Sequence, residues 1–251
     1  MVARHDQTTD PVLLDGLLQA RRGTAFFARK LNELTDAELD GDSLLPGWTR
    51  RHVVAHVGYN ARAVSRLVEW AATGVETPMY PSVEVRNYEI DFGATLSPIA
   101  LRNLFDHSAV HLNVEWRDLP ADSWHHKVKT VQGRTVPAEE TVWMRTREVW
   151  VHAVDLVNGA TFKDIPAPVL ERLLKDITDA WHARGTDNDL VVQVDGTALS
   201  FGDTTAASSP TIVSGPLAAI AQWATGRGTD GTRAQHDGGS VTPVPAAPAW
   251  I

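Results

Sequence analysis

Apolar residues recur at helical spacing through PVLLDGLLQARRGTAFFARKLNEL, residues Pro11 to Leu34, with Asp10 as N-cap and Pro11 at the first helical position. That pattern predicts a first helix. A loop ending in LLPGW leads to Thr49, a capping residue. From there RRHVVAHVGYNARAVSRLVEWAAT predicts a long amphipathic helix to about Thr73, stopped by Gly74. After a connection containing Pro and Tyr, Ser97 and Pro98 open a third helix through IALRNLFDHSAVHLNVEWRDL, closed before Pro120. The stretch HHKVKTVQGRTVPA has the form of a short hairpin turning at Gln132-Gly133. A fourth helix runs from about Glu139 to Asn158 and ends at Gly159.

Four such helices joined by polar loops predict a four-helix bundle over residues 1–160. The pattern then changes. One more amphipathic helix, Pro166 to Arg184, precedes two β-like runs, Leu190 to Val194 and Ala198 to Phe201, which flank a tight-turn signal at Asp195-Gly196. A third apolar run, Thr211 to Val213, leads to a helix from Pro216 to about Thr225. The expected fold class is therefore α+β, a bundle followed by a small C-terminal α/β domain over residues 161–251. From Gly226 onward, Gly, Pro and small polar residues predict a loosely packed tail.

Composition narrows the function classes. With 43% hydrophobic and 22% charged residues the chain is of ordinary globular type, and a net charge of −8 without any basic run argues against a nucleic-acid surface. No apolar stretch approaches the ~20 residues of a membrane span, and the polar N-terminal stretch leads us to expect a cytoplasmic protein. There is no cysteine. This removes disulfides, a thiolate nucleophile and Cys-ligated metal from the chain's own chemistry.

The fourth helix is apolar between Val149 and Leu156 except at His152 and Asp155, and Glu148 stands just before that run. Glu148 and His152, four residues apart, leave one face one turn apart. With Val142 at zero, Asp155, Glu148 and His152 fall at about 220°, 240° and 280°, a single stripe. A carboxylate and an imidazole at this spacing can chelate a metal ion; the same stripe also suits a helix facing solvent or a groove between domains. On the second helix His56 borders the buried face, whereas His52, one turn earlier, lies toward solvent. We therefore take His56 as the third ligand, with His52 and Asn60 as neighbours that could support the site. A core histidine bonded to a neighbouring helix is the alternative for His56. Two neutral imidazoles and one carboxylate on Zn²⁺ leave about one net positive charge and an open position, which suits an anion such as a thiolate.

These residues carry a family resemblance. LPGWTRRHVVAHVGYNARAV resembles the second-helix signature of DinB-like metal-binding bundles, which ends in a ligand histidine at the position of His56. MRTREVWVHAVDL resembles the Arg-x-x-Glu-x-x-x-His-x-x-Asp signature of mycothiol-dependent maleylpyruvate isomerases, here Arg145, Glu148, His152 and Asp155. GVETPMY, Arg86-Asn87 with Glu89-Ile90, QGRTVPA and WATGRG are similar as well; the tail and the stretch from Gly202 to Pro210 show no fixed pattern. The resemblance implies zinc on His56, Glu148 and His152, mycothiol as thiol cosubstrate, and an arginine of the C-terminal domain, Arg227, near the active site. It also implies cis–trans isomerisation of maleylpyruvate, a dianion whose carboxylate a guanidinium binds bidentately. Asp155 is expected to orient a ligand or to pair with Arg145 or Arg147.

Two rival functions use the same residues. One is a mycothiol S-transferase or a metal hydrolase on the same scaffold; the other is a non-catalytic regulatory module with a structural metal, although such sites are usually closed by four ligands and often by Cys. His107 and His111 mimic a chelating pair without support from any carboxylate motif. His125 and His126 are expected to be solvated, and the tryptophans to anchor the core. Nothing in the sequence addresses the oligomeric state.

Overall fold

The structure is a computed structural model and describes residues 5–187, 189–202 and 209–250. The chain divides into two compact units, Met1–Ala160 and Thr161–Ile251.

The first unit is helical. Helix α1 (Pro11–Glu33) starts where Asp10 accepts hydrogen bonds from the amides of Val12 and Leu13. Helix α2 (Arg50–Thr73) starts at Thr49 and stops at Gly74, whose φ of 73° is the left-handed conformation that ends a helix cheaply only at glycine. Helix α4 (Pro98–Asp118) and helix α5 (Glu140–Asp155) complete the bundle. Strands β1 (Lys127–Lys129) and β2 (Thr135–Pro137) form the hairpin between them.

Between α2 and α4 lies an element that the pattern does not reveal, α3 (Val83–Ala94), capped by Ser82. Its apolar residues Val83, Val85, Tyr88 and Phe92 are exposed and only Ile90, Gly93 and Ala94 are buried, so no apolar stripe marks it. Helix α5 also ends earlier than expected. Its last carbonyls are taken by other elements: the Leu44 amide donates to the Asp155 carbonyl at 3.2 Å and Arg50 Nε to that of Leu156 at 2.7 Å. The first turn of α2 is thereby tied to the last turn of α5.

Helix α2 is the central element, buried along most of its length and packed against α3, α4 and α5. Glycines set the closest approaches. A Cβ on Gly23 of α1 would stand 2.6 Å from Trp150 Nε1 and from Val149 Cγ2 of α5.

The second unit carries helix α6 (Ala167–Arg184) and a five-stranded sheet. Strand β3 (Leu190–Val194) lies between β4 (Ser200–Phe201), antiparallel to it, and β5 (Thr211–Gly215), parallel to it. Helix α7 (Leu217–Ala224) follows β5 and meets α6 through Trp181 and Trp223, whose rings lie 5.7 Å apart edge to face. The expectation of a loose tail is overturned. Strands β6 (Arg233–His236) and β7 (Gly239–Val241) extend the sheet beyond β5, and Trp223 Nε1 donates to the Pro245 carbonyl at 2.8 Å. The stretch from Gly202 to Pro210 falls largely outside the described residues. No helix among the described residues is long and apolar enough to cross a membrane.

Gly23→Val drives a branched side chain into Trp150 and Val149, so it is expected to cost about 1–3 kcal/mol of stability. A urea-denaturation midpoint equal to that of the parent protein would contradict the close α1–α5 contact.

Candidate metal centre

Helix α5 presents Glu148 and His152 one turn apart, and α2 presents His56 against them. His56 Nε2 lies 2.9 Å from Glu148 Oε2, and His152 Nε2 lies 3.2 Å from the same oxygen. The two imidazole rings meet edge to face with centroids 4.8 Å apart. One donor atom from each of the three residues falls within 4.8 Å of the others. The side chains of His56, Glu148 and His152 keep 7%, 17% and 13% of their surface exposed, so the cluster is walled in yet reachable.

The arginines hold this geometry across the two helices. Arg145, one turn before Glu148 and 1% exposed, sends Nη1 to the Val57 carbonyl at 2.7 Å and to Asn60 Oδ1 at 3.0 Å. Asn60 thus supports α5 through Arg145. Asp155, fully buried, accepts from His152 Nδ1 at 2.7 Å, which turns the other ring nitrogen toward Glu148. Of the two partners expected for Asp155, His152 is the one it meets at this distance.

The remaining expected residues sort clearly. His52 turns back to its own helix start: its Nδ1 lies 2.8 Å from Thr49 Oγ1 and accepts from the Thr49 amide at 3.2 Å, so it caps α2. Arg227 lies in the second unit just after α7, with Nη1 donating to the Thr225 carbonyl at 2.6 Å. His111 is exposed and faces Glu115 at 3.3 Å, and His125 is exposed. His126 is exposed too, but its Nδ1 sits 2.6 Å from the Ala71 carbonyl oxygen. Two neighbours of His56 had no part in the site assigned from sequence, where Trp48 was expected only to anchor the core. Trp48 places its ring 5.5 Å from that of His56, and Arg86 of α3 brings Nη2 to 3.4 Å from His56 Nδ1. The only signal for Arg86 was its presence in a stretch of family likeness.

Burial and hydrogen bonding set the protonation states. Burial raises the Glu148 carboxyl, but the bonds from His152 and His56 outweigh it and hold the group well below the usual carboxylate range. For His56 burial dominates the pull of Glu148 and pushes the imidazole down, so it is neutral. Burial also pulls His152 down, yet its bonds to Asp155 and Glu148 win and leave it at about 9. Without metal, neutral pH therefore finds an imidazolium, a neutral imidazole and a carboxylate sharing one point.

That donor set fits a divalent cation. Two imidazole nitrogens and a carboxylate oxygen are standard zinc donors, and the Asp155 contact behind His152 is the support such ligands use. Both Nε2 atoms must give up their protons. His56 does so by moving its proton to Nδ1, which requires the long Arg86 contact to yield, and His152 does so by losing one outright.

The family model described as the mycothiol maleylpyruvate isomerase N-terminal domain matches residues 20–157. Two solved structures are similar over nearly the whole chain. One is the crystal structure of the mycothiol-dependent maleylpyruvate isomerase, 47% identical, covering 95% of this chain and 97% of that one with a TM-score of 0.90. The other is a histidine-to-alanine mutant of that enzyme, with the same identity, coverage and TM-score. No curated protein sequence matches the chain.

Because His152 alone carries an excess proton, metal loading at pH 7.5 is expected to release about one proton per ion, fading to none as pH rises through about 9. Metal affinity should accordingly climb about tenfold per pH unit below that value. Calorimetry in buffers of different ionisation heat reads the proton directly, and a release near zero or two would contradict the assignment. In a parallel comparison, His56→Ala is expected to lose bound metal and His52→Ala to keep it; the opposite ranking would reverse the roles of the two histidines.

Proposed function

The chain belongs to the mycothiol maleylpyruvate isomerase family, and from that premise we propose that it converts maleylpyruvate to fumarylpyruvate with mycothiol as thiol cosubstrate, at a zinc centre on His56, Glu148 and His152. What supports this is the convergence of two imidazoles and a carboxylate on one reachable point, in a chain with no cysteine of its own. Bound there, zinc supplies a Lewis acid that stabilises a thiolate at neutral pH.

The chain's residues do the rest. Glu148 offsets one of the two positive charges, so the centre still favours an anion. Asp155 keeps a proton on His152 Nδ1 and leaves Nε2 as the donor. Trp48 stands beside His56, with ring centroids 5.5 Å apart. Addition of the cosubstrate's sulfur to the conjugated double bond forms a carbon–sulfur bond, makes the carbon–carbon bond single and moves an electron pair onto the keto oxygen as an enolate. Rotation follows. Elimination of the same sulfur restores the double bond in its trans form and leaves the thiol unconsumed. To Arg227 we assign a substrate carboxylate and the enolate, because a guanidinium binds both through paired N–H groups. We place the reaction in the cytoplasm, with small molecules as the partners.

The reaction is followed by the spectral change of maleylpyruvate with metal-loaded protein. Conversion is expected only when mycothiol is added; conversion without any thiol, or none with it, would overturn the proposal. Arg227→Lys is expected to lower kcat/KM by about 10–100-fold with metal content intact, since an ammonium cannot make the bidentate contact. An unchanged kcat/KM would remove Arg227 from the site.

A further inference from the structure

Helix α3 turns one face to α2. Ile90 and Gly93 on that face are buried, and a Cβ on Gly93 would stand 2.8 Å from Ala55 Cβ of α2. Arg86 leaves α3 from the same face, one turn before Ile90 and two before Gly93, so the packing carries its guanidinium to His56, the residue after Ala55. There Nη2 stands 3.4 Å from His56 Nδ1. A guanidinium only donates, so this contact holds only while Nδ1 keeps its lone pair. The His56 proton is then on Nε2, which faces Glu148 Oε2 at 2.9 Å. A metal ion on Nε2 sends that proton to Nδ1. Two donors then face each other, and Arg86 has to turn away.

Among the described residues no carboxylate pairs with Arg86, not even Glu89 one turn further along α3, whose buried Oε2 is itself without a hydrogen-bond partner. The other contact of the guanidinium is with its exposed neighbour Asn87, whose Oδ1 accepts from Nη1 at 3.1 Å. Glu148 is engaged by two imidazoles. Tyr80 lies within electrostatic reach of both Arg86 and Glu148, but burial pushes its hydroxyl up to about 12, so it is neutral and supplies no counter-charge. Arg86 also keeps part of its surface exposed, whereas Arg145, the other arginine near Glu148, is sealed from water. Metal loading thus frees a reachable cation beside the metal centre and leaves it with only an amide oxygen. A dianionic substrate of which Arg227 holds one carboxylate has one more to place.

We propose, resting on the isomerase reading of the metal centre, that Arg86 is a second substrate-binding residue: held on His56 in the metal-free protein, it is released by metal loading to bind the substrate carboxylate that Arg227 does not take. Nitrogen NMR of full-length protein labelled at histidine reads the release without any variant. His56 is expected to carry its proton on Nε2 before zinc is added and on Nδ1 afterwards; a proton already on Nδ1 in the metal-free protein would overturn the proposal. The binding is read by calorimetry with pimelate, a saturated dicarboxylate of the substrate's chain length that can neither isomerise nor add a thiol. Zinc-loaded Arg86→Gln is expected to bind pimelate about tenfold more weakly than the parent, or worse, with Arg86→Lys in between. Its zinc affinity is expected to match or exceed that of the parent, because the metal no longer competes with the Arg86 contact. A residue that merely props His56 gives the reverse, so zinc affinity lowered about tenfold with pimelate affinity unchanged would overturn the proposal. So would a parent protein that fails to bind pimelate at about 10 mM, or a KM for maleylpyruvate that Arg86→Gln leaves unchanged where a rise of about tenfold is expected. A parent protein that does not isomerise maleylpyruvate with mycothiol contradicts the reading of the reaction instead, and the pimelate titration still decides whether Arg86 holds a carboxylate.

Discussion

Glu148 is the residue on which the rest of the helical unit depends. A carboxylate withdrawn from water stays ionised only if donors replace the water it lost, and here both donors are imidazoles, at 2.9 and 3.2 Å from a single oxygen. One of them belongs to another helix, so α2 and α5 must keep one register. Arginines supply it at both levels: Arg50 ties the start of α2 to the end of α5, and Arg145 spans from α5 to Val57 and Asn60 of α2. Asp155 then fixes the ring of His152 from behind. Each of these contacts has no purpose for a helix packed only by apolar side chains, and together they explain why the end of α5 carries so many polar groups in a buried setting.

The same arrangement defines the division of labour in the proposed reaction. A protein without cysteine cannot supply a thiolate, but it can supply the electrostatic setting in which a borrowed one persists. Two neutral nitrogens and one carboxylate leave a divalent ion with positive charge to spare, whereas a second carboxylate would have cancelled it. A cluster that retains a little exposure on each of its three side chains admits a ligand without flooding the site. Arg227 belongs to the second unit, whereas His56, Glu148 and His152 belong to the first.

Elements whose ends are written in side-chain chemistry were legible from the sequence. Asp10 with Pro11, Thr49, Gly74, and Ser97 with Pro98 mark the helix ends where the structure has them. Helix α3 was not legible, because its apolar residues face outward and no stripe forms. Strands β6 and β7 were hidden for another reason: short polar runs such as RAQH pair only because β5 offers an edge. At the site, the four-residue spacing of Glu148 and His152 and the helical phase of His56 marked the three residues that meet. Periodicity says which face a side chain leaves from, not which partner it meets. It therefore could not show that His52 folds back to cap its own helix, that Asn60 serves Arg145, or that Arg86 reaches His56.

The central claim is that His56, Glu148 and His152 make a metal centre whose remaining position takes the sulfur of a cosubstrate. X-ray absorption at the zinc edge of the zinc-loaded protein, with and without mycothiol, tests it most directly. The expected spectrum shows only nitrogen and oxygen neighbours, imidazole among them, before the thiol is added, and one sulfur neighbour afterwards. A spectrum that mycothiol leaves unchanged, or one without imidazole scattering, would contradict the account.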